Sequence, residues 1–173
     1  MVLIPMIASQ VDVPVIAAGG IIDGRSMAAA IALGAQGVQM GTRMVSSAES
    51  PVHDNWKNAI IDANDQSTVL LNQFSSPALR ALRTEKTTAL EQELKINPMQ
   101  EFGRVTDLYF GGNMNASIAL TGQVAGRIES VKSVSDIIDE TMQEYWEVVR
   151  NLNSKNHTSI KKGLQKQPFL FVR

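Results

Sequence analysis

The rhythm of apolar and polar positions changes near residue 50. Before it, Gly, Ala, Val and Ile dominate and charges are few, which is the texture of buried parallel strands and the helices that cover them. Val13 to Ile16, a run dominated by β-branched residues, passes through Ala17-Ala18 into Gly19-Gly20 and predicts a buried strand ending in a glycine turn. The alanine-rich segment Gly24 to Leu33 predicts a helix, with Asp23 placed to cap its start and Gly34 at its C-terminal end. Gly37 to Met40 predicts a second short strand, followed by Gly41-Thr42 and a short helix over Arg43 to Ala48. Strand, helix and strand in this order form a βαβ unit, with parallel strands and a right-handed crossover.

Beyond residue 50 the pattern turns helical. Ser50-Pro51 reads as a start signal, and Val52, Trp56, Ala59 and Ala63 follow at helical spacing. Pro77 opens a second predicted helix with apolar members Leu79, Leu82, Leu90 and Leu94 and a stop at Pro98; Ser67 to Phe74, between them, fits a strand or a loop. Phe110 to Ser117 reads as a loop, and Ile118 to Ile128 as a helix with Gly122, Ala125 and Gly126 on nearly one face. Ser133 and Asp136 resemble a capping box ahead of an amphipathic helix bearing Ile138, Met142, Tyr145 and Val149.

Composition narrows the function classes. The 173 residues are 44% hydrophobic and 19% charged with a formal net charge of -1, a globular composition that points to no polyanionic partner such as nucleic acid. There are no cysteines, which removes disulfides, thiolate metal sites and thiol nucleophiles together and fits a cytoplasmic location. The apolar start has no basic residues before it and is interrupted by Pro5 and Asp12, so neither a secretory signal nor a membrane span is expected. From Asn151 on there are five Lys or Arg and no Asp or Glu, a basic tail expected to lie in solvent.

The candidate chemistry sits in the two turns. Consecutive parallel strands are neighbours, so Gly19-Gly20 and Gly41-Thr42 fall side by side at the C-terminal strand ends, the edge where (β/α)8 barrels bind phosphate. Glycine lets backbone N–H groups approach phosphate oxygens, a helix start adds partial positive charge, and a Thr hydroxyl adds a donor. On spacing alone, plain strand-end turns fit the same residues. No metal-ligand spacing or nucleophile motif occurs. Of the two histidines, His53 and His157, neither is placed as a base; Asp23 reads as a cap, Arg43 as a phosphate-side or salt-bridging group, and Trp56 as a core anchor.

The segment from Pro14 to Arg25 (PVIAAGGIIDGR), followed by that from Ala32 to Arg43 (ALGAQGVQMGTR), closely resembles the nitronate monooxygenase family, formerly called 2-nitropropane dioxygenases. It is similar also to flavin-dependent enoyl-acyl-carrier-protein reductases. The resemblance continues through Ser50 to Ala63, through Phe74 to Leu94 and through Thr121 to Gly126. It implies an α/β fold in which residues 1–50 are the last two βα units of a (β/α)8 TIM barrel, 51–150 a mostly helical region packed on the barrel, and 151–173 the basic tail. It also implies FMN as cofactor, with Gly19, Gly20, Gly41 and Thr42 at its phosphate and Gln39 and Met40 approaching it from the strand end.

The implied activity is oxidation of an alkyl nitronate with oxygen. An NAD(P)H-dependent flavin reductase of an enoyl thioester or a quinone is the alternative, and a phosphate site unrelated to flavin is a third reading. The family's earlier barrel strands and its catalytic histidine in a Gly-Gly-His segment have no counterpart in these residues. The chain is therefore expected to be truncated and inactive alone, or to need self-association or a complementary chain.

Overall fold

The computed structural model describes residues 2–161, with side chains as far as Ser154 in the last helix. A short helix, α1 (Leu3–Ala8), precedes β1 (Ile16–Ala18), α2 (Gly24–Ala32) and β2 (Gly37–Gln39). The strands pair in parallel, Ile16 opposite Gly37 and Ala18 opposite Gln39, so the βαβ unit is present. β1 starts later than the sequence predicted: Val13 is exposed, and Pro14 has no N–H to give a ladder. Ala17, Ile21, Ala30 and Ala35 are buried together between the strands and α2. Asp23 and Ser26 cap α2 reciprocally, the Asp23 carboxylate accepting from the Ser26 N–H at 2.8 Å. Gly34 follows the helix at φ +102°, a conformation that favours glycine.

The chain continues through α3 (Thr42–Val45) and α4 (Asp54–Ile61). Two predicted starts are corrected here. α3 begins at Thr42 and ends before Ser46, and α4 begins after His53, whose Nδ1 accepts from the Asn55 N–H at 3.1 Å, rather than at Ser50-Pro51.

A hairpin then interrupts the region expected to be helical: β3 (Thr68–Leu71) pairs antiparallel with β4 (Leu79–Leu82). The predicted helix from Pro77 is thus a strand in its first half. Its second half is α5 (Glu85–Glu91), capped by Thr84 and Thr87, while Leu94 is exposed beyond its end. Pro98 does not stop a helix but opens α6 (Pro98–Glu101), its missing N–H costing nothing in the first turn. After α7 (Val105–Tyr109), the predicted helix over Ile118 to Ile128 is largely extended: Leu120 bridges to Ala81, and only Gln123–Arg127 form a 3-10 turn.

The last helix, α8 (Val134–Lys161), starts at the Ser133 and Asp136 pair as expected and runs on past Asn151. Among its described side chains the buried ones are Ile137 and Thr141, so the inward face is offset from the predicted Ile138 and Met142 stripe. α8 lies along α2 so closely that a Cβ on Gly24 would stand 2.3 Å from the Tyr145 nitrogen and 2.4 Å from the Thr141 oxygen. Residues 162–173 of the basic tail, and the His157 side chain, lie outside the described residues. Among the described residues no helix is long and apolar enough to cross a membrane.

A second core gathers Trp56, Ile60, Leu82, Leu108 and Ile128 beneath α4, and a third joins Val69, Leu71, Ala81, Leu90 and Ile118 under the hairpin. The result is a mixed α/β fold in which the parallel strand pair and the hairpin are separate two-stranded sheets.

Candidate active site

Parallel register places Ala18 beside Gln39, so the chain leaves both strands at one edge and the turns Gly19-Gly20 and Gly41-Thr42 lie next to each other. Gly19 and Gly20 adopt φ +98° and +77°, which side-chain-bearing residues rarely take. A Cβ added to Gly19 or Gly41 would meet no atom within 4 Å, so the space over these turns is open to a ligand. Gly41 precedes α3, where the Met44 and Val45 amides both donate to the Gly41 carbonyl at 2.9 and 3.0 Å, so the amides of the first turn turned toward this edge are those of Thr42 and Arg43. Gln39 is exposed at the end of β2, whereas Met40 packs back onto the Ala17 and Ile21 cluster and offers the site its backbone.

A third segment completes the edge. The Gly122 N–H donates to the Thr42 Oγ1 at 2.8 Å. Because this bond occupies a lone pair, the Thr42 hydroxyl proton must point elsewhere, and the hydroxyl remains a donor. Gly122 is itself held by its neighbour: Trp56, almost fully buried, donates from Nε1 to the Thr121 Oγ1 at 3.2 Å, and that hydroxyl donates to the Ala119 carbonyl at 3.0 Å. Val124 comes near Gly20, 3.8 Å from where a Cβ would be. Gly122 stands 80 residues from Thr42 in sequence. The small residues of Thr121 to Gly126 were a visible signal, but nothing local told which turn they would meet.

The other polar residues act structurally. Arg43 is buried and turns away from the glycines, donating to the Ser130 carbonyl at 2.9 Å and the Ser46 hydroxyl at 3.1 Å, which corrects its phosphate-side reading. Burial lowers its pKa, with the charge of Glu140 opposing. His53 caps α4 and stacks over Gly112, where any Cβ would strike the imidazole. Among the described residues no cluster of His, Cys, Asp or Glu could hold a metal ion.

Asp23 caps α2 and pairs with Arg127 at 2.6 Å, fastening the turn after β1 to the 3-10 turn. Burial raises its pKa, but the Ser26 hydrogen bonds and the Arg127 charge together outweigh that and hold it below the ordinary carboxylate range. A depressed folded-state pKa gives stability that is present above the unfolded value of ~4 and lost as pH falls through the folded value. Asp23→Asn keeps a capping oxygen but loses the charge, so it is expected to cost about 0.5 kcal/mol at pH 7 and to flatten the acid limb of a melting-temperature profile below about pH 4. An acid limb as steep as that of the unsubstituted chain would contradict this.

With this edge described, comparison with known proteins is decisive. A nitronate monooxygenase family profile matches residues 1–144. The chain belongs to the nitronate monooxygenase family. It is 38% identical over 103 residues to a probable nitronate monooxygenase of Staphylococcus saprophyticus, covering 58% of this chain and 29% of that protein. A probable nitronate monooxygenase of Staphylococcus aureus strain Newman is 40% identical over 101 residues, covering 57% and 28%.

Among solved structures, FabK from Thermotoga maritima is 39% identical with a TM-score of 0.82, covering 89% of this chain and 51% of that one. The nitroalkane oxidase of Streptomyces ansochromogenes, 24% identical with a TM-score of 0.68, covers 87% and 44% and shares the fold. The chain thus spans about half the length of the solved relatives and less of the curated ones.

Proposed function

We propose that this chain forms the phosphate-holding side of an FMN site in a flavin-dependent oxidoreductase of the nitronate monooxygenase type, with β1 and β2 as the last two strands of a (β/α)8 barrel. The observation that carries the reading is the paired turns: two glycines at positive φ beside a helix start and a threonine whose lone pair is already taken by Gly122. Gly19, Gly20 and Gly41 would let backbone amides reach phosphate oxygens, Thr42 would donate its proton, and Gln39 and Met40 would border the cofactor at the strand end. FMN, when bound, supplies the redox chemistry through its isoalloxazine ring. The chain's own residues bind and orient its phosphate.

Among the described residues each parallel strand pairs on one edge only. α1 exposes Leu3, Met6 and Ile7 nearby. Open ladder edges and apolar surface of this kind support further strands at this sheet, within a longer chain or from a partner.

The substrate we favour is an alkyl nitronate, oxidised with oxygen in solution. Resemblance to the enoyl-acyl-carrier-protein reductases favours a second reading, an NAD(P)H-dependent flavin reductase of an enoyl thioester or quinone. Titrating the purified chain with FMN and with riboflavin, followed by visible absorbance and calorimetry, tests the site. FMN is expected to bind at least about 10-fold tighter, the equivalent of ~1.4 kcal/mol. A colourless chain would leave the reading of a truncated, inactive chain in its place, and equal affinities would overturn the phosphate-holding role of the two turns. If flavin binds, the substrate is tested with the chain joined to the further barrel strands: anaerobic bleaching by NADH there selects the reductase, and nitronate-dependent oxygen uptake the monooxygenase.

A further inference from the structure

The Thr42 hydroxyl is aimed by a chain of bonds that starts in the core. Its Oγ1 accepts from the Gly122 N–H at 2.8 Å, and among the described residues its proton reaches no acceptor. The planar peptide that supplies this N–H joins Thr121 to Gly122, so the bond points where Thr121 is made to point. Thr121 is buried and held by backbone and side chain together. Its N–H donates to the Arg80 carbonyl of β4 at 3.1 Å, its Oγ1 accepts from Trp56 Nε1 at 3.2 Å, and its hydroxyl donates to the Ala119 carbonyl at 3.0 Å. Trp56 is fixed in turn, its ring edge-on to Tyr109 with centroids 4.8 Å apart.

Gly122 carries a second, independent sign of the same arrangement. Its φ of -69° and ψ of 157° admit any residue, so backbone freedom does not call for glycine here. A Cβ would instead stand 3.0 Å from the Thr42 Oγ1, pressing on the hydroxyl that the amide now holds. The missing side chain lets the amide and the hydroxyl meet undisturbed.

We infer that Thr121 and Trp56 are positioning residues for phosphate recognition, acting through the Gly122 amide on the Thr42 hydroxyl. A hydroxyl with both lone pairs free spreads its proton over the staggered directions, whereas one lone pair engaged by Gly122 leaves only those turned away from it. Selection for a phosphate-bearing ligand is thereby set partly in the core beneath α4, at side chains that do not line the turns. This inference rests on the phosphate-holding reading of the two turns.

Thr121→Val keeps the shape and takes the acceptor from the Trp56 indole. In the full chain it should narrow the preference for FMN over riboflavin by roughly 3- to 10-fold while changing riboflavin affinity less than about 2-fold. Thr121→Ser, which keeps the oxygen and its proton, should restore the preference. In a Thr42→Val background Thr121→Val should narrow it no further, because the hydroxyl it positions is gone. Gly122→Ala disturbs the same hydroxyl and leaves the buried bonds in place, so it should narrow the preference even if Thr121→Val does not fold. Without any flavin, exchange of the Gly122 amide followed by NMR should quicken at least about 10-fold in Thr121→Val.

An unsubstituted chain that is colourless or shows no preference for FMN removes the phosphate reading, and this inference with it. A preference present in the unsubstituted chain but untouched by Thr121→Val and Gly122→Ala overturns this inference alone. So does an equal fall for both flavins, an undiminished effect in the Thr42→Val background, or a Gly122 amide that exchanges no faster.

Discussion

Gly24→Ala is expected to lower the melting temperature by about 6 to 12 °C, the equivalent of ~3 kcal/mol for a chain of this size. Gly24 opens α2, and its Cα lies against the α8 backbone: an added Cβ would sit 2.3 Å from the Tyr145 nitrogen and 2.4 Å from the Thr141 oxygen. Backbone atoms cannot swing aside as a side-chain tip can, so the two helices must separate. Separation also stretches the contacts that Glu144 makes with α2, where it accepts from the Gly24 N–H at 2.9 Å and pairs with Arg25 at 2.8 Å. Gly41→Ala is the control. A Cβ there meets nothing within 4 Å and the backbone is at φ -94°, so the cost should stay below about 1 kcal/mol. Thermal denaturation of both variants decides it; equal losses would mean that the α2–α8 contact is not the constraint.

That contrast shows which parts of the molecule were legible. The unit from β1 to β2 is written locally: β-branched residues, a capping Asp23, an alanine-rich helix and Gly34 each signal their own element without help from distant residues. β4 is different. Leu79 and Leu82, three apart, fit one face of a helix as well as a strand, and what decides is pairing with β3 and the bridge from Ala81 to Leu120, neither visible from the segment itself. The inward face of α8 was misread for a related reason. Ile138 and Met142 are as apolar as Ile137, but close approach to Gly24 fixes which side turns inward. At the site, the glycine turns could be found in the sequence, whereas the bond from Gly122 to Thr42 depends on Trp56 and Thr121 holding a distant segment in place.

Thr42→Val is expected to weaken FMN binding by about 10- to 100-fold while changing riboflavin affinity by less than about 2-fold, because a hydrogen bond to a charged group contributes ~1.5–3 kcal/mol. Valine keeps the shape and removes both roles of the hydroxyl, as acceptor from Gly122 and as donor into the open turn. Losing the first role strands the Gly122 amide and should cost ~1 kcal/mol of stability. Losing the second should appear only with a ligand that bears a phosphate. Thr42→Ser, which keeps the oxygen and its proton, should recover most of the FMN affinity. Calorimetric titration of the three proteins with both flavins separates the outcomes: a parallel fall for FMN and riboflavin would make Thr42 a structural strut for the Gly122 turn, whereas a fall confined to FMN places its hydroxyl at the phosphate.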